Sequence, residues 1–578
     1  MSKLSVEQKT VMNLLGDKKA DFIIPDYQRP YAWDKSECQT LWDDLFTFAF
    51  PDNNKDNFDS TNDEYFLGPI VTFPNENKKD EIIDGQQRLT TLMLLLRAFY
   101  PCFENMQDEN SKVTRESIER CLWKTNEFHK PDINSYKLET EVATDEAKDE
   151  FKEILRTGKI SDSKQSRYAN NYRFFQEKIN ELQKNYSSYL AYLPMRILNN
   201  CIFLPIEADS QETALRIFTT LNDRGKPLSD ADIFKSQLYK YYSASKDEFI
   251  KQWKELEEIS SEIYHPIAGT PMDEAFTRYM YYERAKQDNK SSTTEALRKF
   301  YEKNSYALLK NNKTFDNIID LVNFWKSVSI QDKERFSDKI LKRLFVLNYA
   351  PNGMWTYITS VYYIQNRDND GLLDEEKFYD FLNKITAFIW AYSFTNPGVN
   401  ALRTPVYAEM AKIVKGERVD FSNYKFDVTQ LRNAINNYVF SNNRSITKSM
   451  LAWWAFNDEG QELLELDKSF QTEHIYAVKR YEFEKSLSDP RNIESLGNKA
   501  LLEDKINITA SNYSFASKVK YYKGFKNSKG QLIGKTRIKE LQDFAANLKD
   551  FTENEIVQRK ALIIQKFIEY LHKNGLIK

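Results

Sequence analysis

The chain has 578 residues and a formal charge of −3, with 41% hydrophobic, 14% aromatic and 29% charged residues. At about 150 residues per domain this length predicts two to four domains, and the aromatic content argues against a disordered chain. No apolar run reaches the ~18 residues of a membrane-spanning helix, and the N-terminus lacks the apolar stretch of a signal peptide. We therefore expect a cytoplasmic protein.

Cysteine and histidine are scarce, with four of each. The cysteines lie far apart and form no C-x-x-C pair, which excludes a zinc site readable from the sequence and argues against a disulfide scaffold. Chemistry that needs a histidine has only four places to occur: His129, His265, His474 and His572.

The near-neutral total hides an uneven distribution of charge. Residues 431–578 contain 24 Lys and Arg against 18 Asp and Glu, and residues 511–539 contain eight basic residues and no acidic ones. Such a stretch can neutralise phosphates. The alternative is a solvated, lysine-rich surface.

The first region, 1–245, is predicted to mix short strands with helices. One helix is capped by Asp34, and another begins after Gly85 and is apolar enough to be deeply buried. Residues 51–64 are polar and predict a loop. The strands are expected at 22–24, 66–73, 81–84 and 201–206, and further helices at 167–192, 211–221 and 230–243.

Residues 246–430 are helical in pattern throughout, and their clustered aromatics are interpreted as core. Residues 431–578 open with helices, pass through a loop-rich centre and end in helices predicted at 534–549 and 553–573. The fold class is therefore mixed α+β and mostly helical, with domains at 1–245, 246–430 and 431–578.

The first motif is Asp84-Gly85-Gln86-Gln87-Arg88, where a strand ends, a glycine turns and a helix begins. The backbone N–H groups at the start of a helix attract anions, and Arg88 adds a planar cation for phosphate oxygens. Asp84 can hold a metal or a water that attacks a phosphate. The alternative is an ordinary capped helix, with Asp84 as the cap and Arg88 on the surface.

Two further segments stand out in the first region. Between Pro25 and Trp33, two prolines and three aromatic residues flank Arg29, which predicts a rigid segment that presents the arginine or stacks a base. The alternative is an aromatic loop packed on the core. The segment Leu221-Asn222-Asp223-Arg224-Gly225-Lys226-Pro227-Leu228-Ser229 can offer positive charge or simply connect two helices.

The last region carries the second candidate site. Cleavage of a phosphodiester needs a base to activate water and a cation at the phosphate. His474 can be the base, Glu473 can hold the metal, and Asn498 can brace the loop that carries His474. Asn507, nine residues after Asn498, can add an oxygen ligand suited to Mg²⁺. The lysines that could follow a nucleic-acid backbone are Lys518, Lys520, Lys523 and Lys526.

The three N-terminal segments together resemble the N-terminal domain of GmrSD-type type IV restriction enzymes, over roughly residues 10–245. This resemblance implies a ParB/sulfiredoxin-like α/β domain whose D-G-Q-Q-R motif binds and hydrolyses an NTP. The nucleotide-binding residues that it implies are Arg29, Asp84, Gly85, Gln86, Gln87 and Arg88, with Asp84 and Arg88 taking part in catalysis.

The C-terminal motif resembles the ββα-metal HNH nuclease domain of the same enzymes, embedded in helices. The resemblance implies His474 as general base, Asn498 as the bracing residue, and Glu473 and Asn507 as ligands of Mg²⁺ or Mn²⁺. Asn512 is an alternative second ligand. One position departs from the family pattern, because Ala477 stands where a proline is usual.

The resemblance implies a nucleotide-regulated endonuclease or nickase of anti-phage defence that acts on modified double-stranded DNA. The sequence does not select the modification or choose among GTP, UTP, CTP and ATP, and it leaves a homodimer open. Two alternatives remain: a non-catalytic sensor of modified DNA that acts through a partner, and an effector that hydrolyses NTPs.

Overall fold

The structure is a computed structural model. It describes residues 7–128, 130–142, 144–210, 213, 214, 217, 229–287, 291, 292, 295–398, 400–466, 468–510, 514–526, 528 and 531–578. The chain divides into two compact units, Met1–Lys254 and Glu255–Lys578. The predicted helix at 211–221 and the segment from Leu221 to Leu228 lie largely or wholly outside the described residues.

The first unit contains a six-stranded mixed sheet with the order β1-β8-β3-β4-β2-β7. Its central pairing, β3 with β4, is antiparallel, whereas β3 pairs with β8 and β2 with β4 and β7 in parallel. A separate ribbon joins β5 and β6. The strands are β1 (Lys9–Thr10), β2 (Phe22–Ile24), β3 (Tyr65–Pro74), β4 (Asp80–Asp84), β5 (Trp123–Thr125), β6 (Pro131–Tyr136), β7 (Leu138–Thr140) and β8 (Cys201–Glu207).

One long helix of this unit, α3, is buried, and α4, α5 and α6 pack against it. Every residue from Leu89 to Leu96 of α3 is at most 2% exposed, which confirms the prediction of a deeply buried helix. The predicted cap at Asp34 is also present, where Asp34 and Glu37 form a capping box. The helices are α1 (Val11–Leu15), α2 (Lys35–Ala49), α3 (Gln86–Phe103), α4 (Glu109–Leu122), α5 (Lys148–Thr157), α6 (Arg167–Asn185), α7 (Tyr192–Asn200) and α8 (Asp230–Tyr241).

The predicted helix at 167–192 is longer than the observed one. Helix α6 ends at Asn185, and a short turn at Ser187–Tyr189 separates it from α7. Serine side chains compete with the helical backbone for its hydrogen bonds, and the pair Ser187 and Ser188 falls at this break.

The second unit begins with helices alone, as predicted. Its aromatic clusters are core, since Tyr279, Phe324, Trp325 and Tyr363 are all buried. The helices are α9 (Lys246–Ile263, which crosses the division between the units), α10 (Pro271–Lys286), α11 (Leu297–Tyr306), α12 (Asn312–Ser329), α13 (Asp338–Leu347), α14 (Met354–Asn366), α15 (Glu375–Thr395), α16 (Arg403–Val414), α17 (Val428–Asn437) and α18 (Ser445–Ala455).

The last part of the chain packs on those helices and carries two small antiparallel pairs, β9 with β10 and β11 with β12. Tyr570 near the C-terminus donates a hydrogen bond to the Asn383 carbonyl of α15. The elements are β9 (Phe470–His474), α19 (Val478–Glu484), β10 (Lys499–Glu503), α20 (Asp504–Ala510), α21 (Phe515–Lys523), β11 (Phe525–Lys526), β12 (Leu532–Ile533), α22 (Lys539–Asn547) and α23 (Glu553–Lys573).

The mixed, mostly helical fold class is confirmed. The predicted final helix at 553–573 coincides with α23. The one predicted at 534–549 begins only at Lys539, because Gly534 and Lys535 both adopt the left-handed backbone conformation, with φ of +80° and +71°. No described helix is both long and apolar enough to cross a membrane.

Candidate functional site

The first candidate site is the turn between β4 and α3. Gly85 has a φ of +95°, and a Cβ there would lie 3.0 Å from a side-chain carbon of Ile70. Both facts require glycine, because other residues rarely adopt this conformation. The chain passes from the end of β4 through this glycine turn into α3, as the motif predicts.

The side chains of Gln86 and Gln87 bind another part of the protein. The Gln87 Oε1 atom accepts a hydrogen bond from the Ala32 N–H at 2.6 Å, and its amide donates to the Pro30 carbonyl at 3.3 Å. The Gln86 amide donates to Gln28 at 3.3 Å. Both glutamines are buried, so these amides anchor the 28–33 segment. Because these two side chains are occupied, the groups at the start of α3 that could bind an anion are the backbone N–H groups.

The aromatic residues of that segment are packed inside the unit. Tyr31 is buried, stacks on Tyr168 with ring centroids 4.9 Å apart, and shares a 2.7 Å hydrogen bond with Thr91. Tyr27 is also buried and donates to Glu81 at 3.1 Å. For these two tyrosines the structure matches the alternative of an aromatic loop packed on the core rather than a base-stacking surface.

Asp84 and Arg88 form an ion pair, with 3.3 Å between Arg88 NH2 and Asp84 Oδ2. The Arg88 NH1 group also donates to the Leu67 carbonyl at 2.9 Å. Burial raises the pKa of Asp84, and the charges of Arg88 and Arg29 oppose that rise. Three predicted nucleotide-binding residues, Asp84, Arg88 and Arg29, therefore interact electrostatically at the N-terminal end of α3. Each side chain of the ion pair keeps about a fifth of its surface exposed.

The second candidate site lies at the end of the β9–β10 pair. His474 is opposite Lys499 and Glu473 is opposite Ala500. Adjacent residues of a strand point to opposite faces, so Glu473 and His474 have separate surroundings. This arrangement of two antiparallel strands followed directly by α20 has the β-β-α order that the resemblance to an HNH domain implies.

His474 contacts a carboxylate that the sequence analysis missed. Its Nε2 atom lies 3.0 Å from Glu494 Oε1, and the second oxygen of Glu494 accepts a 2.8 Å hydrogen bond from Lys499 Nζ. Burial and the nearby charge of Lys499 lower the pKa of His474, against the opposing effect of Glu494. The lowered pKa favours the neutral imidazole, the state in which histidine can accept a proton.

Asn498 holds the chain that follows His474. It is fully buried, accepts a hydrogen bond from the Tyr476 N–H at 2.7 Å, and donates to the carbonyls of Tyr476 and Ile493 at 3.1 Å each. Its own carbonyl accepts from the Ile475 N–H at 2.9 Å. This is the contact pattern expected of a bracing residue.

The turn before Asn498 is pressed against α23. A Cβ on Gly497 would lie 2.0 Å from the Ile556 carbonyl oxygen. Arg559 of the same helix donates to the carbonyls of Leu496, Gly497 and Lys499. The glycine of the L-G-N sequence thus lets a helix backbone support the turn.

The departure at Ala477 falls at the residue that precedes α19. Ala477 caps α19 with a φ of −67° and a ψ of 141°. A proline ring fixes φ near −65°, so alanine here adopts the backbone conformation that a proline would impose.

Glu473 is buried and is bound by two donors at the same oxygen. Lys518 Nζ lies 2.7 Å and the Tyr522 hydroxyl 2.9 Å from Glu473 Oε1. Lys518 also donates to the His474 carbonyl. Within the part of the chain that the structure describes, no hydrogen bond reaches the other oxygen, Oε2.

The predicted DNA-binding lysines therefore divide into two kinds. The side chain of Lys518 is 1% exposed and paired with Glu473, so the prediction that it contacts DNA is corrected. It shares the buried face of α21 with Phe515 and Tyr522. The lysines that are exposed, as predicted, are Lys520, Lys523 and Lys526.

Asn507 lies on α20, which packs against both β9 and β10. It lines a cavity of about 510 Å³ together with residues of β9 and of the segment that leads into α18. Two cations, Arg444 and Lys448, lie in this lining beside a single acidic residue, Asp504. The alternative ligand Asn512 lies outside the described residues.

Comparison with known families shows two matches. The model of the "GmrSD restriction endonuclease, N-terminal domain" matches residues 11–239, and that of the "GmrSD restriction endonucleases, C-terminal domain" matches residues 426–566. Together they cover more than half of the chain. The chain belongs to the GmrSD family of restriction endonucleases. No curated protein was found as a significant relative.

Membership in the GmrSD family makes this protein a type IV restriction endonuclease and DNA its substrate. The N-terminal match contains the sheet and Asp84 to Arg88, and the C-terminal match contains β9, β10, α20 and α21. Both candidate sites therefore lie inside the matched GmrSD domains.

Several residues of the C-terminal GmrSD domain were not found from its sequence. Glu494 lies 20 positions from His474 and belongs to no motif. Lys499 and Tyr522 look like surface residues of the basic C-terminal region, Tyr522 as an aromatic between the predicted DNA-binding lysines, yet both are fully buried. A usable signal is the position of Lys499 directly after Asn498, which places it at the first residue of a buried strand.

Proposed function

We propose that this GmrSD-family enzyme is a nucleotide-regulated endonuclease or nickase that cuts modified phage DNA with a divalent metal. The observation that carries the proposal is the placement of His474, which is held at a strand end by Glu494 and followed by a segment clamped by Asn498. A neutral imidazole in a fixed position is what a general base needs to take a proton from water.

The residues available to hold a metal are Glu473 and Asn507. They offer carboxylate and amide oxygens, which suit Mg²⁺ or Mn²⁺, and Glu473 Oε2 accepts no hydrogen bond from any described residue. Oxygen donors of this kind are the ones that a hard cation keeping several waters would take. A bound metal would stabilise negative charge on the scissile phosphate, while His474 activates the water and Asn498 keeps His474 in place.

The first unit is proposed to bind and hydrolyse an NTP. Arg88 and Arg29 supply positive charge beside the start of α3, where backbone N–H groups favour phosphates. Asp84 then orients the attacking water or a metal. Burial raises the pKa of Asp84, which makes this carboxylate a better proton acceptor than a solvated one.

Two cationic surfaces are proposed to hold DNA in the second unit. Lys520, Lys523 and Lys526 are exposed on α21 and the adjoining strand. Arg444 and Lys448 line the cavity that contains Asn507. These cations suit a polyanion that crosses the site.

The nuclease assignment is tested by cleavage of plasmid and phage DNA with Mg²⁺ or Mn²⁺. The panel holds unmodified, glucosylated hydroxymethylcytosine and phosphorothioate DNA, with and without each NTP. The wild type is expected to cut at least one modified DNA, and His474→Ala to lose cleavage by about 10³-fold. His572→Ala is the matched control, because His572 is exposed near the end of α23. Equal cleavage by His474→Ala and the control would refute the assignment.

The nucleotide assignment is tested by phosphate release from each NTP. Asp84→Asn and Arg88→Ala are expected to abolish turnover, whereas Arg120→Ala, an exposed arginine on α4, keeps it. Wild-type turnover in both variants would remove the Asp84 to Arg88 segment from the mechanism. Sedimentation of the full chain, with and without NTP, decides whether a homodimer forms.

One observation favours a second function, the non-catalytic sensor of modified DNA. The Lys518 ammonium on Glu473 Oε1 reduces the negative charge that would attract a metal. Titration calorimetry with Mn²⁺ separates the two functions. A nuclease binds Mn²⁺ and loses it in Glu473→Gln and Asn507→Ala, whereas a sensor shows the same weak binding in all three proteins.

A further inference from the structure

Three side chains linked by hydrogen bonds run behind His474 on one face of the β9–β10 pair. His474 Nε2 contacts Glu494 Oε1 at 3.0 Å, Glu494 Oε2 accepts from Lys499 at 2.8 Å, and Lys499 donates to Asn442 Oδ1. Asn442 is tied to β9 by a 3.5 Å contact with the Thr472 carbonyl. Lys499 is fully buried, and a buried ammonium is tolerated only with partners such as these.

This series of hydrogen-bonded side chains determines which ring nitrogen of His474 carries the proton. Partial burial raises the pKa of Glu494, but hydrogen bonds from Lys499 and His474 outweigh burial and hold it below its ordinary value. An ionised carboxylate only accepts hydrogen bonds, so Nε2 must be the donor. In the neutral ring Nδ1 then carries the lone pair.

We propose that Glu494 is a positioning residue that fixes the tautomer and orientation of His474, and that Lys499 and Asn442 hold Glu494 in turn. This rests on the proposed role of His474 as the general base, because only a fixed tautomer keeps Nδ1 able to accept a proton. A carboxylate that orients a catalytic imidazole in this way is a recurring device in enzymes.

The geometry makes a counterintuitive prediction for the isosteric change Glu494→Gln. Lys499 can only donate, so the glutamine oxygen must face Lys499 and the amide NH₂ must face His474 Nε2. Nε2 then becomes an acceptor, and the proton moves to Nδ1. We expect Glu494→Gln to lower kcat by about 10²–10⁴-fold, more than Glu494→Ala, with KM changed by less than about threefold.

The double variant Glu494→Gln with Lys499→Met supplies a rescue. Methionine removes the donor that orients the glutamine, so its oxygen can accept from Nε2 again. The double variant is expected to cleave about tenfold faster than Glu494→Gln alone. Glu482→Ala is the matched control, because Glu482 is an exposed carboxylate of the neighbouring helix α19.

A spectroscopic readout tests the tautomer without cleavage. The full chain has four histidines, so labelling with ¹⁵N-histidine gives four ring systems, and the His474 signals are those lost in His474→Ala. We expect the Nε2–H form in the wild type and in Glu482→Ala, and the Nδ1–H form in Glu494→Gln.

Three results would overturn the proposal: wild-type kcat in both Glu494 variants while His474→Ala is inactive, an effect on KM alone, or an unchanged tautomer in Glu494→Gln. Full cleavage by His474→Ala is a separate outcome. It refutes the general base and leaves the tautomer measurement to judge Glu494.

Discussion

Replacing Asn498 with alanine removes the clamp on the segment after His474. Three hydrogen bonds of its side chain are lost, one at 2.7 Å and two at 3.1 Å, and all three backbone partners belong to Tyr476 or Ile493. A buried hydrogen bond contributes about 1 kcal/mol net. The clamp therefore stabilises this segment by about 3 kcal/mol, and more if the backbone groups stay without water.

Amide hydrogen exchange measures this loss where it occurs. A change of about 3 kcal/mol corresponds to about a hundredfold faster exchange, and it is expected in peptides that contain Tyr476. DNA cleavage is expected to fall as well, because the backbone segment after His474, which Asn498 holds, opens more often. Asn547→Ala is the control, since Asn547 is an exposed amide at the end of α22.

The reasoning about Asn498 is refuted if exchange around Tyr476 changes by less than about threefold in Asn498→Ala. That result would mean that Ile475 and the packing of Gly497 on α23 hold the segment without the side chain of Asn498. Loss of cleavage with unchanged exchange would likewise contradict a bracing role, because bracing acts through the stability of this segment.

Three further changes separate structural from ligand-binding roles. Gly68→Ala places a Cβ 1.9 Å from Arg88 NH1 at a φ of +113°, so NTP turnover should fall to that of Arg88→Ala, and wild-type phosphate release would contradict this. Lys518→Met leaves Glu473 buried without its ion pair and should lower the free energy of unfolding in urea by about 3–5 kcal/mol. The control Lys520→Met should lower it by less than about 0.5 kcal/mol. Equal losses in the two variants would contradict the structural role of Lys518. Lys448→Met should reduce the slope of log Kd for DNA against log salt by about one, and an unchanged slope would exclude a phosphate contact.

The sequence predicts best those structural features that depend on residues close together along the chain. The Asp84 to Arg88 turn follows from a strand, a glycine and a helix in succession. Asn498 was found through the family motif instead, since its partner Tyr476 lies 22 positions away. Lys518 was placed wrongly because burial depends on what α21 packs against, here Glu473, 45 positions away. The same limit hid Glu494, whose partner is set by the path of the chain between β9 and β10.

On each face of the β9–β10 pair, a lysine forms an ion pair with a glutamate. Glu473 on one face is paired with Lys518, and Glu494 on the other with Lys499. Two lysines of the basic C-terminal region therefore compensate one buried and one partly exposed carboxylate. The excess of basic residues in 431–578 is therefore not all available to DNA. The salt dependence of binding should follow the exposed Lys520, Lys523 and Lys526 together with Arg444 and Lys448 of the cavity lining. Lys499 and Lys518 instead determine whether His474 and Glu473 keep their positions.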